Sequence, residues 1–484
     1  MAFNSYEFVF AFLPFIIILY YLINHFKYYK ISNIFLLIMS VFFYIKFDLK
    51  FVLIITSSVL INYTVGLLLN RKKTHRKPLL VFGVLFNIGI LLYFKYLNFF
   101  IENINAIFGF DLVISQLLLP IGISFFCFQQ ISFVVDVYKN AEIKYPFIEY
   151  ALHVIFFPYI ISGPIVRHNE IIPQLLSKEN KQFNSELFSK GIVAFIMGLA
   201  KKVLIADVLA NVVSMGFNDI GSLNTITAGF TMVAYTLQIY FDFSGYSDMV
   251  IGIGLMLNLK MPINFNSPYK SLSIPEFWKR WHMSLTRFFT DYVYIPLGGN
   301  RKGSTRTYVN IFIVFIVSGL WHGANWTFIL WGILHGLGSI ITKYFNKYYK
   351  HIPTMIRWGF TFLFVSVAWV IFRSPSISDA LLFISRLFVF NKDFSIFALA
   401  NASLLPEITS AISFVLPTLA SKAIIIMALI MMIAYIFAVV FMKNTSEKID
   451  QFKPSNKMII LCAILFVWSV ISFSTVTTFI YQNF

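Results

Sequence analysis

Charged residues are scarce in this 484-residue chain, where Asp, Glu, Lys and Arg make up 12% of the sequence against 58% for hydrophobic types. A soluble domain carries about twice that charged fraction. Cysteine is scarce as well: Cys127 and Cys462 lie far apart in apolar runs, so we expect neither a disulfide nor a metal site. Gly-x-Ser-x-Gly, His-Glu-x-x-His and P-loop motifs are also lacking, so the sequence gives no support to a serine hydrolase, a zincin or a nucleotide-driven pump.

Apolar runs long enough to cross a bilayer, roughly 17–25 residues, recur along the chain. They predict an all-α polytopic membrane protein with roughly eleven transmembrane helices. The first run has neither a basic segment before it nor a small-residue cleavage site after it, so we expect a retained helix. The clearest runs cover 8–23, 31–47, 51–69, 79–96, 308–320, 326–341, 358–372, 423–442 and 458–471, and more broken ones lie near 112–137, 147–166, 187–213 and 225–258.

Basic residues follow the first and the third apolar run, which places both loops on one side of the membrane. The positive-inside rule makes that side the cytoplasm and puts the N-terminus outside. The net charge of +17 is then explained by topology and lipid anchoring. We expect no nucleic-acid binding, because the basic residues are divided among short loops. These two loops carry His25, Lys27 and Lys30, and Arg71, Lys72, Lys73, Arg76 and Lys77.

The sequence is organised as one integral membrane domain, 1–484, with a functional core at approximately 120–340. Prolines and intramembrane polar residues are concentrated in this core, and non-helical backbone at membrane depth is tolerated only where protein or a water-filled cavity surrounds it. We therefore expect the functional cavity there. The segment 156–164, with Pro158 and Pro164, fits either a re-entrant element or a proline kink between two short helices.

Residues 273–300 differ from a transmembrane span. Ser273 and Glu276 have the spacing of a capping box, which predicts a helix start. An apolar stripe and a basic back then predict a helix lying in the headgroup plane, with His282 at the edge of the stripe. The Gly-rich loop 294–303 fits an anion-binding loop or an ordinary connection. The stripe consists of Ile274, Phe277, Trp278, Trp281, Leu285, Phe288 and Phe289.

His322 is the most notable of the eight histidines, since it follows an apolar run and is flanked by glycines and tryptophans. Intramembrane ionisable residues are costly, and a neutral buried histidine can act as a general base toward a hydroxyl. Asn325 has the chemistry to orient that imidazole or to hold a carbonyl. The alternative for His322, and the favoured interpretation for His335, is a helix-packing histidine bonded to a neighbouring carbonyl.

Carboxylates also occur within apolar segments, and Asp242 and Asp248 flank a group of hydroxyls that includes Ser244. Such a group can orient a histidine or line a proton path. A structural role, with the carboxylate bonded to neighbouring hydroxyls, is equally consistent with the sequence.

Four motifs follow one another in the middle of the chain: Asp-Phe-Ser-Gly-Tyr-Ser-Asp at 242–248, Phe-Trp-Lys-Arg-Trp-His-Met-Ser-Leu at 277–285, Tyr-Ile-Pro-Leu-Gly-Gly-Asn-Arg at 294–301 and Trp-His-Gly-Ala-Asn-Trp at 321–326. In this order they resemble the membrane-bound O-acyltransferase (MBOAT) family, and within it the alginate O-acetyltransferase-like branch. That branch includes peptidoglycan O-acetyltransferases and is related to the teichoic-acid D-alanylation protein.

The resemblance implies that His322 is catalytic and that His282 is the second signature histidine. It also implies a ring of helices around a thin centre with a tunnel that reaches both faces. Residues of the motifs are then expected to support the histidines or line this tunnel. They are Trp321, Asn325, Trp326, Asp242, Ser244, Trp278, Arg280 and Trp281.

The same resemblance implies a bacterial cytoplasmic (inner) membrane enzyme without a metal or a tightly bound cofactor. Acetyl-CoA or another acyl thioester would be the donor substrate, an exported SGNH-hydrolase-like acetyltransferase the partner, and an extracytoplasmic polysaccharide the final acceptor. Three alternatives stay open: transfer of D-alanine to teichoic acid, acylation of a lipid or protein, and a transporter or flippase without covalent chemistry. Broken helices fit a transporter, although inverted repeats are missing.

Overall fold

The computed structural model describes residues 1–71, 75–114, 117–390, 396–475 and 479–480, and within these ranges the chain is helical with no strand. The prediction of an all-α polytopic membrane protein is confirmed, while the number of spans stays a prediction. Tyr29–Ile45 and Asn456–Ile471 are shorter apolar helices. Among the described residues, six helices are long and apolar enough to cross a membrane: Glu7–His25, Leu49–Arg71, Arg76–Phe108, Gly303–His322, Thr354–Arg373 and Ala420–Phe441.

The chain divides into two compact units. The described residues of unit 1 lie within Met1–Phe195 and Ser247–Ile263. Its described residues contain π-helical turns at Glu7–Phe12 and Leu92–Tyr96. Its complete α-helices are α1 (Leu13–His25), α2 (Tyr29–Ile45), α3 (Leu49–Arg71), α4 (Arg76–Leu91), α5 (Leu97–Phe108), α6 (Ile123–Lys139), α7 (Phe147–Ile155) and α8 (His168–Leu176).

Unit 2 comprises Ile196–Tyr246 and Asn264–Ile480 and holds all ten predicted site residues. Helices α9 (Ser185–Ala200) and α11 (Thr225–Met256) contribute residues to both units. The other α-helices in the described part of unit 2 are α10 (Asp207–Asn218), α12 (Ile274–Arg280), α13 (Met283–Phe289), α14 (Gly303–His322), α15 (Trp326–Tyr344), α16 (Asn346–Tyr349), α17 (Thr354–Arg373), α18 (Ile377–Arg386), α19 (Phe397–Ala402), α20 (Pro406–Val415), α21 (Ala420–Phe441), α22 (Thr445–Asp450) and α23 (Asn456–Ile471).

The prediction that the apolar segment 225–258 is broken is wrong, because α11 runs through it as one helix of 32 residues. Its glycines permit close packing and do not interrupt the helix. A Cβ atom at Gly245 would lie 2.8 Å from the carbonyl oxygen of Gly198. Small residues in membrane helices commonly serve such close approach of two backbones.

The segment 156–164 is a buried, largely non-helical turn between α7 and α8, which favours a broken element over a simple kink. Backbone hydrogen bonds from Ile160 to Phe156 and from Gly163 to Tyr159 close the turn. Gly122 packs against it with φ of +76°, and a Cβ there would lie 2.0 Å from the carbonyl oxygen of Ile160. Protein therefore surrounds this backbone, as irregular structure at membrane depth requires.

The prediction of a single helix after Ser273, lying in the headgroup plane, is also wrong. Helix α12 ends at Arg280, α13 begins at Met283, and His282 lies between them with φ of +44°. The apolar stripe is buried in protein, with Phe277 and Trp281 each 1% exposed. The helix start is confirmed, since the Ser273 hydroxyl accepts a hydrogen bond of 3.3 Å from the Glu276 amide.

Candidate active site

His322 is the last residue of α14 and lies where α14 and α15 form a tight hairpin. The hairpin depends on glycine: a Cβ at Gly319 would lie 2.3 Å from the carbonyl oxygen of Phe328, and one at Gly332 would lie 2.5 Å from that of Phe315. At Gly323 a Cβ would collide with the Phe328 ring at 2.2 Å. The glycines that flank His322 in sequence therefore bring the two helices together.

The imidazole of His322 is 2% exposed and is surrounded by aromatic rings. Its centroid lies 5.0 Å from Trp331, 5.1 Å from Phe372 and 4.9 Å from Trp321, at interplanar angles of 85°, 79° and 72°. These edge-to-face contacts fix the plane of the imidazole.

Asn264 fixes the turn that carries His282. The Asn264 carbonyl oxygen accepts a 3.0 Å hydrogen bond from the Met283 amide. Its side-chain oxygen accepts from the Ser284 hydroxyl at 2.6 Å and the Ser284 amide at 3.3 Å. These contacts hold both sides of a residue whose left-handed backbone is unfavourable for a non-glycine side chain. Strain of this type, held by surrounding structure, is concentrated at functional sites.

Trp321 contacts both signature histidines. Its ring is 6.1 Å from that of His282 and 4.9 Å from that of His322. Phe243 of α11 contacts the His282 ring edge-on at 4.8 Å. The structure thus brings together His322, His282 and Trp321, and their roles in catalysis stay predictions.

A second aromatic group, which includes a third histidine, adjoins His322. The Trp278 indole donates a 3.1 Å hydrogen bond to Nδ1 of His335. Trp331 contacts both His335 and His322, at 4.8 Å and 5.0 Å. Trp281, 5.0 Å from Trp369, extends the same layer. Sequence reasoning assigned His335 to packing, and the structure gives it a defined donor.

A cavity of about 490 Å³ lies beside this aromatic layer. Trp278, Phe315 and Ser318 line it, and Ser318 is four residues before His322 on α14. Lys279 and Lys343 also line it, so it combines apolar walls with two cationic groups. Its volume lies within the usual range of small-molecule sites.

Asp242 is paired with a lysine, a partner that neither interpretation of its motif included. Its carboxylate pairs with Lys202 at 2.7 Å, and Lys202 also pairs with Asp207 at 2.8 Å. Ser244 is buried close by in sequence, at 1% exposed. Asp242 is thus part of an ion-paired cluster, and none of its described contacts is with a histidine.

The remaining predicted residues divide between the turn and the outside of the hairpin. Arg280 pairs with Glu276 at 3.0 Å and donates to the Asn266 carbonyl, which stabilises the His282 turn. Asn325 accepts from the Thr327 amide at 2.9 Å and donates to the Pro375 carbonyl, so its described bonds cap α15. Trp326, the first residue of α15, is 54% exposed.

Sequence reasoning missed Asn264, Lys202, Trp331 and Phe372 as parts of this region. Lys202 had a usable signal, because a lysine inside an apolar run is costly unless paired. The others become apparent only from contacts between residues distant in sequence. Within the described ranges, no group of three potential metal ligands occurs.

The apolar helices and the buried histidine pair define an integral membrane protein with a site suited to proton transfer. A family model described as MBOAT, membrane-bound O-acyltransferase family, matches residues 109–376, which is more than half of the chain. The chain belongs to this family and is an acyltransferase of it.

Two similar proteins cover most of the chain. The peptidoglycan O-acetyltransferase of Helicobacter pylori is 40% identical over 79% of this chain and 78% of its own length. The probable alginate O-acetylase AlgI of Pseudomonas putida is 41% identical over 81% of each chain. The teichoic acid D-alanyltransferase of Streptococcus thermophilus is more distant, at 29% identity over 47% of this chain and 57% of its own.

Proposed function

We propose that this protein is an O-acetyltransferase that moves an acetyl group from a cytoplasmic thioester to a hydroxyl for O-acetylation of an extracytoplasmic polysaccharide. The proposal rests on two buried histidines, His322 and His282, whose rings both contact the ring of Trp321. The names and coverage of the two relatives near 40% identity support acetyl as the group transferred.

The cavity beside Trp278 suits the donor. Lys279 and Lys343 supply positive charge for the phosphates of a coenzyme-A thioester, and the apolar walls lead toward Ser318, one helical turn from His322. Lysine acts as a point charge toward phosphate in many proteins. Acetyl-CoA is the donor in this proposal, bound only as a substrate.

His322 then acts as the general base. Its neutral imidazole takes the proton of the acceptor hydroxyl as the hydroxyl oxygen attacks the thioester carbonyl. The carbon–sulfur bond breaks, and the imidazolium returns the proton to the departing thiolate. The products are an acetyl ester and a free thiol, and His322 is neutral again. His282, held by the strained turn, positions the thioester, so that orientation contributes to the rate.

The basic loops support a cytoplasmic origin for the donor. They put the N-terminus outside in a bacterial cytoplasmic membrane by the positive-inside rule. The polymer lies on the opposite face, so the proposal includes an exported SGNH-hydrolase-like partner whose serine receives the acetyl group and passes it to the polysaccharide.

Substitution of His322 tests the proposal. Membranes containing wild-type protein or His322→Ala would receive labelled acetyl-CoA, and labelled ester in the extracytoplasmic polymer would be measured. We expect loss by about 10²–10⁴-fold, the range for a general base. The matched control is His351→Ala, since His351 is exposed in the loop after α16. Full retention of labelled ester by His322→Ala would remove His322 from the mechanism.

The same membranes can be used to distinguish acetyl transfer from D-alanyl transfer. A D-alanyl carrier protein supplied beside labelled acetyl-CoA should leave acetyl labelling unchanged if the proposal holds. Transfer of D-alanine in place of acetyl would overturn the acetyl assignment while retaining the site.

A further inference from the structure

A second cavity in unit 2, of about 350 Å³, lies away from the histidine pair. Its walls are formed in part by the helices α9, α11, α21 and α23. Ala438 and Tyr435 of α21, Leu465 of α23 and Met197 of α9 represent these apolar walls. The dimensions and lining suit a hydrocarbon chain better than a water-soluble molecule.

Positive charge accompanies this apolar space. Three of its lining residues are lysines, namely Lys201, Lys443 and Lys448, and the described lining contains no Asp or Glu. Lys443 and Lys448 follow α21 directly in the sequence. A lysine just beyond a span is positioned to meet lipid headgroups.

The neighbouring carboxylate is engaged in helix capping. Glu447 accepts a 3.0 Å hydrogen bond from the Asn444 amide, and Asn444 accepts one of 2.9 Å from the Glu447 amide. Lys443 donates at 2.5 Å to the side-chain oxygen of Gln451, a neutral partner. The Lys443 charge is therefore not neutralised by this contact.

The cavity adjoins the helix that contacts His282. Tyr240 lines the cavity, while Phe243, three residues further along α11, contacts the His282 ring at 4.8 Å. Tyr240 also lies 5.9 Å from the ring of Phe265, which in turn contacts Phe243 at 5.0 Å. A ligand in the cavity would therefore contact α11 at Tyr240, three residues from Phe243, which contacts the His282 ring.

We propose that this cavity binds an anionic glycerophospholipid, with one acyl chain between α21 and α23 and the phosphate against Lys443 and Lys448. The charge of the mouth selects an anionic headgroup over a zwitterionic one. The acyl chain supports α11 at Tyr240. Binding itself does not depend on which acyl group the enzyme transfers.

Lipid retention tests the proposal independently of acyl transfer. The full chain would be purified from vesicles of phosphatidylglycerol and phosphatidylcholine, and the retained lipid identified by native mass spectrometry. We expect wild-type protein to retain phosphatidylglycerol preferentially. Lys443→Gln and Lys448→Gln should each weaken retention about fivefold, as expected for loss of one lysine near an anionic surface. The matched control is Lys347→Gln with Lys350→Gln, two exposed lysines outside the cavity.

A second pair of variants tests the apolar part. Ala438→Phe fills the cavity, whereas Ile433→Phe places the same ring on an outward position of α21 that is 66% exposed. We expect only Ala438→Phe to lose the lipid. The proposal is overturned if the lysine or Ala438 variants retain phosphatidylglycerol as wild type does, if both lipids are retained equally, or if a peptide is retained instead.

Discussion

The indole nitrogen of Trp278 donates a hydrogen bond of 3.1 Å to Nδ1 of His335, and both side chains are buried. Because Nδ1 accepts, the neutral imidazole carries its proton on Nε2. Trp331 contacts both this pair and His322, at 5.4 Å from Trp278, 4.8 Å from His335 and 5.0 Å from His322. The bond therefore determines the position of a ring that contacts the catalytic candidate.

Trp278→Phe should remove the donor while retaining most of the aromatic packing. The buried Nδ1 of His335 would lose its partner, at a cost of about 1–3 kcal/mol in the free energy of unfolding. We expect reduced acyl transfer as well, because Trp331 loses one of its fixed neighbours. Thermal unfolding in detergent and labelled-ester formation measure the two effects. Trp326→Phe, at an exposed position, is the control, and equal behaviour of the two variants would contradict the role of the bond.

Asn264→Ala should impair the site through the His282 turn. The variant loses the side-chain cap of α13, which costs about 1 kcal/mol of stability. Ser376→Ala removes a cap of α18 by the same chemistry, since the Ser376 hydroxyl accepts from the Asp379 amide at 3.0 Å.

We expect similar losses of thermal stability from these two variants, but a fall in acyl transfer only for Asn264→Ala. Asn264→Asp keeps the accepting oxygen and should recover part of the activity. Equal activity of the Asn264→Ala and Ser376→Ala proteins would show that Asn264 has no positioning role.

Gly332→Ala should separate α14 from α15. The added methyl group would lie 2.5 Å from the Phe315 carbonyl oxygen, so the helices must shift, at a cost of about 1–3 kcal/mol. Gly359→Ala makes the same change in α17 with nothing within 4 Å, and should stabilise by about 0.5–1 kcal/mol. We expect the melting temperature to fall below that of wild type for Gly332→Ala and to rise above it for Gly359→Ala. A neutral Gly332→Ala protein would contradict the close packing.

The motifs permitted prediction of where His322, His282 and Trp321 meet, because short local patterns carry that information. The surroundings of the apolar stripe were not predictable in the same way. Periodicity shows that Phe277 and Trp281 share a face, but lipid and protein interior are equally apolar and give the same pattern. The break at His282 depends on Asn264, whose contacts with residues 283 and 284 are tertiary.

The ion-pair partners of Lys202 were likewise not predictable from the local sequence. Its position in an apolar run predicts a partner, yet the choice between Asp207, five residues away, and Asp242, forty residues away, is not set by local sequence. The folded chain brings both carboxylates to one ammonium group. The cluster also reaches the C-terminal segment: the Ile480 amide donates to Asp242 at 2.9 Å, and the Phe479 ring lies 4.5 Å from the lysine nitrogen.

Lys202→Met should be among the most destabilising single changes in unit 2. It leaves Asp207 and Asp242 buried without their cation, and removing one partner of a buried ion pair costs about 3–5 kcal/mol. Lys190→Met is the matched control, because Lys190 pairs at 2.6 Å with Glu186, whose side chain is 70% exposed. Surface pairs contribute about 0.2–1 kcal/mol, so the control should unfold close to wild type.

A compensated variant distinguishes lost charge pairing from lost packing. Lys202→Met combined with Asp207→Leu and Asp242→Leu replaces the whole cluster by apolar side chains, and such replacements are often neutral or stabilising. We expect the triple variant to unfold at a higher temperature than Lys202→Met alone. If it is less stable than the single variant, the loss arises from packing around the lysine stem and not from the two unpaired carboxylates.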